Sequence, residues 1–322
     1  MSQEKQYIGI DLGGTKILSG IIDSKGNILE QDYRKTEAHK GPDVVVSNII
    51  DSVNSLLSND THSISSVGVG APGFATPDGF VIDPPNLDDW ESVPLRQILK
   101  TELGKKVAVE NDGNAATLGV CRFGAGRGKR NVVYLTASTG IGGGFFLDGQ
   151  LYHGAVGGAG EVGHMTVLPR GPHCGCGNRG CLEAVASGTA IAREGREYML
   201  HNPNGLLYAL SEGDPDRVSA KLVAEASRLG DRDAEEIIRE AMSYLGIGVA
   251  NLVNLLNPEL VVIGGSLIKM GDLLFESVKS TVKRCTFSRL SRSLQIVPSQ
   301  LGDTAGLLGA ASVAMAYEES LT

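Results

Sequence analysis

The sequence has no apolar run long enough to cross a membrane and no continuous block of basic residues. A membrane-spanning helix needs about 20 consecutive apolar residues, and nucleic-acid-binding proteins usually present clustered Lys and Arg. The formal net charge is −8 at pH 7, and glycines interrupt the densest basic segment, residues 122–130. The amino-terminal residues also lack the apolar segment of a secretory signal peptide. We therefore expect a cytoplasmic protein that binds neither membrane nor nucleic acid.

Cysteine and aromatic residues are scarce, whereas glycine is abundant. The chain has five cysteines, one Trp and 43 glycines. An odd cysteine count fits a reducing compartment, where disulfides are rare, and Cys121 and Cys285 are isolated, as ordinary thiols are. With 322 residues and 42% hydrophobic composition, the chain is long enough for two globular domains, at about 150 residues each.

The other three cysteines, Cys174, Cys176 and Cys181, follow His164 in a glycine-rich segment. Three thiolates and one imidazole suit tetrahedral zinc, whereas a disulfide or inert thiols are the alternative interpretation. His173 is the competing imidazole, but it adjoins Cys174 and would have to fold back to reach the same ion. Four protein ligands fill the coordination sphere, so this pattern predicts a structural rather than a catalytic zinc.

A possible phosphate-binding turn lies near the amino terminus. The pattern predicts three successive strands at residues 7–11, 17–22 and 27–29. The first turn offers backbone N–H groups, a hydroxyl and a cation, from Gly13, Gly14, Thr15 and Lys16. Such a group suits a phosphate, and Asp11 at the strand end suits Mg²⁺. A plain hairpin with a Gly-Gly turn is the alternative reading.

The same pattern recurs at residues 131–151, where a β-branched strand again runs into a Gly/Thr turn containing Thr139 and Gly140. An internal repeat on this scale predicts two related domains that bind one nucleotide. The repeat therefore favours phosphate binding over a plain hairpin for both turns.

Alternating strand and helix patterns fill the rest of the chain and predict an α/β fold. Further helices are predicted at 41–59, 182–198, 217–229, 234–256, 269–283 and 304–316, and further strands at 66–70, 107–110, 260–263 and 294–298. Residues 68–73 match the dinucleotide fingerprint G-x-G-x-x-G, but Pro72 lies inside the pattern and no helix is expected after it, so we reject that reading. Gly264 and Gly265 follow a predicted strand and permit a ligand such as adenine to approach the backbone.

Polar side chains follow two other predicted strands. Asn86 lies in a polar loop with Trp90, which is either a ligand contact or a core residue. Asn111 and Asp112 follow the strand at 107–110, and open α/β sheets bind ligands at such strand ends. Asp112 is either a helix N-cap or a general base.

These motifs together resemble the ROK family of bacterial sugar kinases and related repressors. The resemblance covers nearly the whole chain and rests on I-G-I-D-L-G-G-T-K, E-N-D, G-A-G-E-V-G-H and C-G-C-G-N-R-G-C-L-E. Within the family, N-L-D-D-W and G-E-V-G-H-M-T-V are most similar to the bacterial glucokinases. The resemblance implies a two-domain actin-like (ribonuclease H-like) ATPase fold with an interdomain cleft. Its domains would comprise residues 1–118 plus 303–322 and residues 119–302.

The resemblance also implies ATP-dependent phosphorylation of glucose at the 6-hydroxyl, with Asp112 as general base. The implied sugar-binding residues are Gly73, Asn86, Asn111, Asp112, Glu161, His164 and Glu183. The implied ATP and Mg²⁺ residues are Asp11, Gly13, Gly14, Thr15, Lys16, Thr139, Gly140, Gly264 and Gly265. His164 would serve zinc through one ring nitrogen and sugar through the other, and a homodimer or higher homo-oligomer is expected.

Two alternatives stay open at this stage. The sugar could be fructose, allose, N-acetylmannosamine or N-acetylglucosamine, because discrimination at one substituent depends on pocket contacts that the sequence does not place. Polyphosphate could replace ATP as the donor. A sugar-responsive repressor is disfavoured, since the phosphate turn begins at Asp11 and leaves no room for a preceding DNA-binding segment.

Overall fold

The computed structural model describes residues 5–58 and 64–321. The chain divides into two units. The first comprises Met1–Arg130, Gly144–Gly160 and Gln300–Thr322, and the second comprises Asn131–Gly143 and Glu161–Ser299. Among the described residues, no helix combines the length and apolar character that a membrane crossing requires.

The first part of the chain alternates strands and helices. The elements are β1 (Gln6–Leu12), β2 (Lys16–Asp23), β3 (Ile28–Lys35), α1 (Pro42–Ser58), β4 (Ile64–Ala71), β5 (Phe74–Ala75), β6 (Val81–Ile82), β7 (Ser92–Val93), α2 (Leu95–Leu103), β8 (Val107–Asn111) and α3 (Asp112–Phe123). The main sheet has the order β3-β2-β1-β4-β8. Strands β1, β2 and β3 pair antiparallel, whereas β4 pairs parallel to both β1 and β8. The predicted opening meander and the strands at 66–70 and 107–110 are thus confirmed.

The second part begins with another meander. Its elements are β9 (Val132–Ala137), β10 (Ile141–Leu147), β11 (Gln150–Leu151), α4 (Leu182–Ala186), α5 (Gly188–His201), α6 (Leu206–Leu210), α7 (Ala220–Arg228), α8 (Arg232–Leu256), β12 (Leu260–Gly264), α9 (Asp272–Cys285), α10 (Ser288–Ser293), β13 (Gln295–Pro298) and α11 (Ala305–Glu319). Of these, β11, most of β10 and α11 belong to the first unit. The sheet order is β11-β10-β9-β12-β13. In both sheets a strand meander is extended by parallel strands, which confirms the internal repeat.

Helix α11 packs very closely on the first unit's sheet and on α3. A Cβ on Gly68 would lie 2.0 Å from the carbonyl oxygen of Ala310, and one on Gly9 would lie 2.4 Å from that of Leu307. A Cβ on Gly309 would lie 2.5 Å from the carbonyl oxygen of Ala115. The prediction that this small-residue helix packs tightly is therefore confirmed.

Several predicted boundaries were wrong. The predicted helix 182–198 is two helices, because Ser187 is extended and caps α5 by accepting a hydrogen bond from the Ala190 N–H. The predicted helix 269–283 begins only at Asp272, because Gly271 has a φ of 61° and ends a preceding 3-10 turn.

The other differences are smaller. The third strand extends to Lys35, far beyond the predicted 27–29; its burial alternates residue by residue, so polar side chains on one face hid it. The helix predicted at 217–229 begins at Ala220, after the Ser219 cap. For the helix predicted at 41–59, the last residue, Asn59, lies outside the described residues. Helices α2, α6 and α10 were not predicted.

Candidate active site and metal centre

The turn between β1 and β2 is held in place by its own hydrogen bonds and by Thr36. The Gly13 N–H donates to the Lys16 carbonyl at 2.9 Å, and the Thr36 hydroxyl donates to the Gly13 carbonyl at 2.6 Å. The side chains of Thr15 and Lys16 are exposed. The turn thus presents a hydroxyl and an ammonium group to solvent, as a phosphate site needs.

Gly14 brings this turn against the loop that carries Asn86. A Cβ on Gly14 would lie 2.6 Å from the Asn86 Cβ and 2.8 Å from its carbonyl oxygen, so only glycine fits. Asn86 itself is exposed, whereas Trp90 is 3% exposed and belongs to the hydrophobic core. The core interpretation of Trp90 is therefore confirmed, and Asn86 remains available to a ligand.

Asp11 lies at the end of β1, against the first turn of α11. A Cβ on Gly306 would lie 2.4 Å from the Asp11 Cγ and Oδ2 atoms. Burial raises the pKa of the Asp11 carboxyl, and the nearby Lys16 charge lowers it. A half-buried carboxylate with one cation nearby suits Mg²⁺ as a ligand, because a divalent cation would offset the cost of its charge.

Asp112 is the first residue of α3 and is exposed. The N-cap is Asn111, whose side-chain oxygen accepts from the Asn114 N–H at 3.1 Å, so the capping interpretation of Asp112 was wrong by one residue. The Asn111 side chain also donates to the Gly73 carbonyl at 2.9 Å. The cap residue thus joins two predicted site residues of the first unit, Asn111 and Gly73. The Asp112 carboxylate lies at a helix N-terminus, which favours negative charge.

In the second unit, the Gly/Thr turn after β9 is fixed by the start of α5. The Gly188 N–H donates to the Ser138 carbonyl at 2.7 Å, and the Thr189 hydroxyl donates to the Thr139 carbonyl at 2.9 Å. The Ser138 hydroxyl lies 2.9 Å from that of Ser266. Thr139 is left exposed at the turn, as a phosphate-binding residue would be.

Glu183 lies next to this turn. Its Oε2 atom accepts from the Ile141 N–H at 2.9 Å, and a Cβ on Gly140 would lie 2.4 Å from the same oxygen. Its Oε1 atom lies 4.0 Å from the Cys174 sulfur. Glu183 therefore connects the second phosphate turn to the cysteine cluster, a link that the sequence did not indicate.

His164 presents one nitrogen to the cysteines and the other to Glu161. Its Nδ1 atom is 3.7 Å from the Cys174 sulfur, and its Nε2 atom is 3.9 Å from Glu161 Oε2. Because the two nitrogens point to different groups, the ring can serve a metal and a sugar at once. Half of the Glu161 side chain remains exposed, at 50%.

The four candidate metal ligands lie together, with ligand atoms of His164, Cys174, Cys176 and Cys181 all within 4.8 Å of one another. The Cys176 and Cys181 sulfurs are 3.7 Å apart. Zinc–sulfur bonds of about 2.3 Å at tetrahedral angles require sulfurs about 3.8 Å apart, so the donors fit this ion. His173 instead contacts Arg179, which supports His164 as the fourth ligand.

Glycines make the metal loop possible. Gly177 has a φ of 91° and Gly180 a φ of 66°, both in the left-handed region. A Cβ on Gly180 would lie 1.7 Å from the Leu168 carbonyl oxygen, so the chain could not pass there with any other residue.

Gly264 and Gly265 have a packing role of their own. Gly265 has a φ of 84°, and a Cβ there would lie 2.3 Å from the Ala137 carbonyl oxygen. A Cβ on Gly264 would lie 2.5 Å from the Tyr134 hydroxyl. These contacts explain why both are glycine, and binding of adenosine at this position stays a prediction.

The chain is similar over nearly its whole length to known glucokinases. The chain is 41% identical over 309 residues to the glucokinase of Thermotoga maritima, covering 96% of each chain. It is 37% identical to the glucokinase of Streptomyces coelicolor, covering 95% of this chain and 96% of that protein. A crystal structure of a ROK family glucokinase from Streptomyces griseus, in complex with glucose and AMPPNP, superposes with a TM-score of 0.83 at 35% identity, covering 97% of this chain and 99% of that one.

Repressors are among the relatives as well. The xylose repressor of Bacillus subtilis is 30% identical over 309 residues, which are 95% of this chain and 76% of the repressor. The profile of the ROK family matches residues 7–317. The chain therefore belongs to the ROK family.

Proposed function

We propose that this protein transfers the γ-phosphoryl group of ATP to the 6-hydroxyl of glucose. The observation that carries the proposal is Asp112, an exposed carboxylate fixed at the start of α3 by the Asn111 cap. The glucokinase relatives support glucose as the acceptor. The two Gly/Thr turns, at Gly13–Lys16 and Thr139–Gly140, support a nucleotide as the donor.

In this proposal Asp112 accepts the proton of the sugar hydroxyl as that oxygen attacks the γ-phosphorus. The bond from that phosphorus to the bridging oxygen breaks, and ADP leaves. Phosphoryl transfer passes through a loose transition state, so positioning and charge neutralisation supply most of the catalysis. A general base is typically worth about 10²–10⁴-fold in rate.

The sugar hydroxyls would be bound by the exposed or half-buried polar groups described above. We assign this role to Gly73, Asn86, Asn111, Glu161, His164 and Glu183. Carboxylates accept hydrogen bonds from hydroxyl donors, and an amide both donates and accepts, so the set suits a polyol ring. Specificity among hexoses would arise where one of these groups is left unpaired by the wrong substituent.

The phosphates of ATP would be bound by the backbone N–H group of Gly14, by Thr15 and Lys16, and by the turn at Thr139 and Gly140. The Gly13 N–H was also expected to face a phosphate, but it donates to the Lys16 carbonyl and shapes the turn instead. Gly264 and Gly265 would flank the adenosine. Asp11 would hold Mg²⁺, which supplies positive charge to the β- and γ-phosphates when bound.

We also propose a structural Zn²⁺ at His164, Cys174, Cys176 and Cys181. Its support is the donor chemistry and the spacing of the four ligand atoms. The ion would hold the loop that precedes Glu183 and orient the His164 ring. Because ATP is a cytoplasmic metabolite, we propose a cytoplasmic enzyme. We also expect a homodimer or higher homo-oligomer.

The test is ADP release from Mg-ATP over a panel of hexoses that includes glucose, mannose, fructose, N-acetylglucosamine and N-acetylmannosamine. A preference for glucose in kcat/KM is expected. A preference for an acetamido sugar would replace the substrate while leaving the reaction type in place. A protein that binds glucose but turns over no sugar would overturn the kinase proposal in favour of a sugar-responsive regulator.

The role of Asp112 is tested in the same assay. Asp112→Ala should lower kcat by at least 10²-fold, following the usual worth of a general base, with glucose and ATP binding measured calorimetrically. Asp148→Ala is the matched control, since Asp148 is an exposed carboxylate of the same unit at a hairpin turn. An unchanged kcat for Asp112→Ala would remove it as the base.

A further inference from the structure

Two residues without an assigned role, Glu110 and His153, lie next to the segment that carries Asp112. Glu110 is the residue before the Asn111 cap, and its side chain is 12% exposed. His153 follows β11 in sequence and is 47% exposed. Both belong to the first unit, and the His153 Nε2 atom lies 2.7 Å from Glu110 Oε2.

The other carboxylate oxygen of Glu110 holds the first turn of α3. Glu110 Oε1 accepts from the Asn111 backbone N–H at 2.9 Å and from the Asn114 side-chain amide at 3.0 Å. Asn114 is 1% exposed, so its amide depends on protein partners. Glu110 thereby fixes the residues on both sides of Asp112 in the chain.

His153 in turn holds Glu110. The imidazole is the group that contacts Oε2. The backbone that carries it is held by the hydrogen bond from the Ala159 N–H to the His153 carbonyl at 3.1 Å. The contact with Glu110 raises the pKa of His153, which favours the charged imidazolium and a charge-assisted bond. Without His153, Oε2 would face an open cavity of about 860 Å³, and the carboxylate could turn into it.

We propose that Glu110 and His153 are positioning residues for the phosphoryl transfer. Glu110 sets the orientation of the Asn111–Asp112 segment, and His153 keeps Glu110 in the orientation that does so. This inference rests on the proposed role of Asp112 as general base, because its effect on the reaction is exerted through that carboxylate.

The first test is a set of Glu110 variants. Glu110→Ala should lower kcat at least tenfold, since a misplaced catalytic group costs up to about 10²-fold for a shift of about 1 Å. The KM for glucose should change less than threefold. Glu110→Gln keeps an oxygen that can accept from Asn111 and Asn114, and it should recover at least threefold of the lost kcat. A kcat for Glu110→Ala within twofold of the wild type would overturn the proposal.

The second test uses the cavity beside His153. His153→Ala should lower kcat at least threefold, and added imidazole should restore it, because the cavity is large enough to admit the free ring. Imidazole should leave wild-type kcat unchanged. If imidazole fails to restore kcat in a variant of native thermal stability, the assignment of His153 is wrong.

Other charged groups around the same cavity supply the control. Arg96, Arg122 and Glu319 also line it. The Arg122 guanidinium donates two hydrogen bonds to the Glu319 carboxylate, at 2.9 and 2.7 Å. Glu319→Ala removes a carboxylate from this cavity without touching the first turn of α3, so its kcat should stay within twofold. An equal loss of kcat in Glu319→Ala and Glu110→Ala would mean that both substitutions act through a general loss of stability, and it would overturn the proposal.

A structural readout separates this inference from the proposed function. Crystal structures of the wild type and of Glu110→Ala give the position of the Asp112 carboxylate whether or not glucose is the substrate. A displacement of about 1 Å or more is expected. An unmoved Asp112 carboxylate would overturn the positioning role, even if the wild type proves to be a glucose kinase.

Discussion

Gly140→Ala is the substitution that most sharply tests the link between the second phosphate turn and Glu183. The new Cβ would lie 2.4 Å from Glu183 Oε2, whereas ordinary contacts between non-bonded heavy atoms are about 3.5 Å. The carboxylate must therefore move by about 1 Å. Because a carboxylate is the flexible end of its side chain, the backbone need not shift, and the loss of thermal stability should not exceed that of one hydrogen bond.

The moved carboxylate loses its hydrogen bond from the Ile141 N–H, now 2.9 Å long. Hydrogen bonds to charged groups contribute about 1.5–3 kcal/mol, and Glu183 is half-buried, so we take the lower end. In the proposed function the moved carboxylate also loses its hydrogen bond to a sugar hydroxyl. About 1.5 kcal/mol for that bond corresponds to a loss of roughly tenfold in kcat/KM for glucose, since 1.4 kcal/mol is tenfold. The assay is steady-state ADP release with glucose varied.

Gly142→Ala is the matched control, because Gly142 lies only two residues further along, in β10, and its Cβ would meet only the Thr136 Cγ2 atom at an ordinary 3.4 Å. Its kcat/KM should stay within twofold. A double-mutant cycle completes the test: in a Glu183→Ala background, Gly140→Ala should add almost nothing. Equal kinetics for Gly140→Ala and Gly142→Ala would refute the reasoning.

Three further predictions concern metal, magnesium and pH. Cys176→Ala should abolish bound zinc by elemental analysis and lower Tm by several degrees, since a structural zinc is coupled to folding; a metal-free variant with native Tm would contradict the zinc site. Gly306→Ala should raise the Mg²⁺ concentration for half-maximal activity severalfold, because its Cβ would overlap the Asp11 carboxyl; an unchanged Mg²⁺ dependence would remove Asp11 as the metal-binding group. Because contact with Glu110 raises the pKa of His153, the stability that the pair contributes should be full below about pH 6.5 and be lost as pH rises through the folded-state value. The Tm difference between wild type and His153→Gln should therefore be larger at pH 6 than at pH 9, and a constant difference would show that the ion pair contributes nothing.

Features that depend only on neighbouring residues could be predicted from the sequence. The two meanders, the glycine turns and the cysteine cluster were predicted from short patterns. A strand that ends in Gly-Gly-Thr, or a Cys-x-Cys pair, is compatible with few local structures. The close packing of α11 also followed from its small residues. The boundary errors occurred where a single residue competes with a helical pattern. Ser187 and Gly271 each break a run whose apolar spacing continues past them.

What the sequence could not place are contacts between distant segments. Glu110 and His153 are far apart in the chain, and nothing in either segment signals their 2.7 Å contact. Glu183 was identified as a sugar-binding residue by resemblance, but its hydrogen bond to Ile141 depends on how α4 packs against the second meander. Such side-chain pairs follow from tertiary packing, which local patterns do not encode.

The return of α11 to the first unit has a consequence for synthesis on the ribosome. Strands β1 and β4 leave the ribosome early, but the helix that covers Gly9 and Gly68 is made only after the whole second unit. At about 5–20 residues per second, the first sheet waits on the order of ten seconds for this cover. A nascent chain arrested at residue 299 should therefore show a protease-sensitive amino-terminal half, whereas equal resistance before and after α11 emerges would mean that the sheet is completed without it.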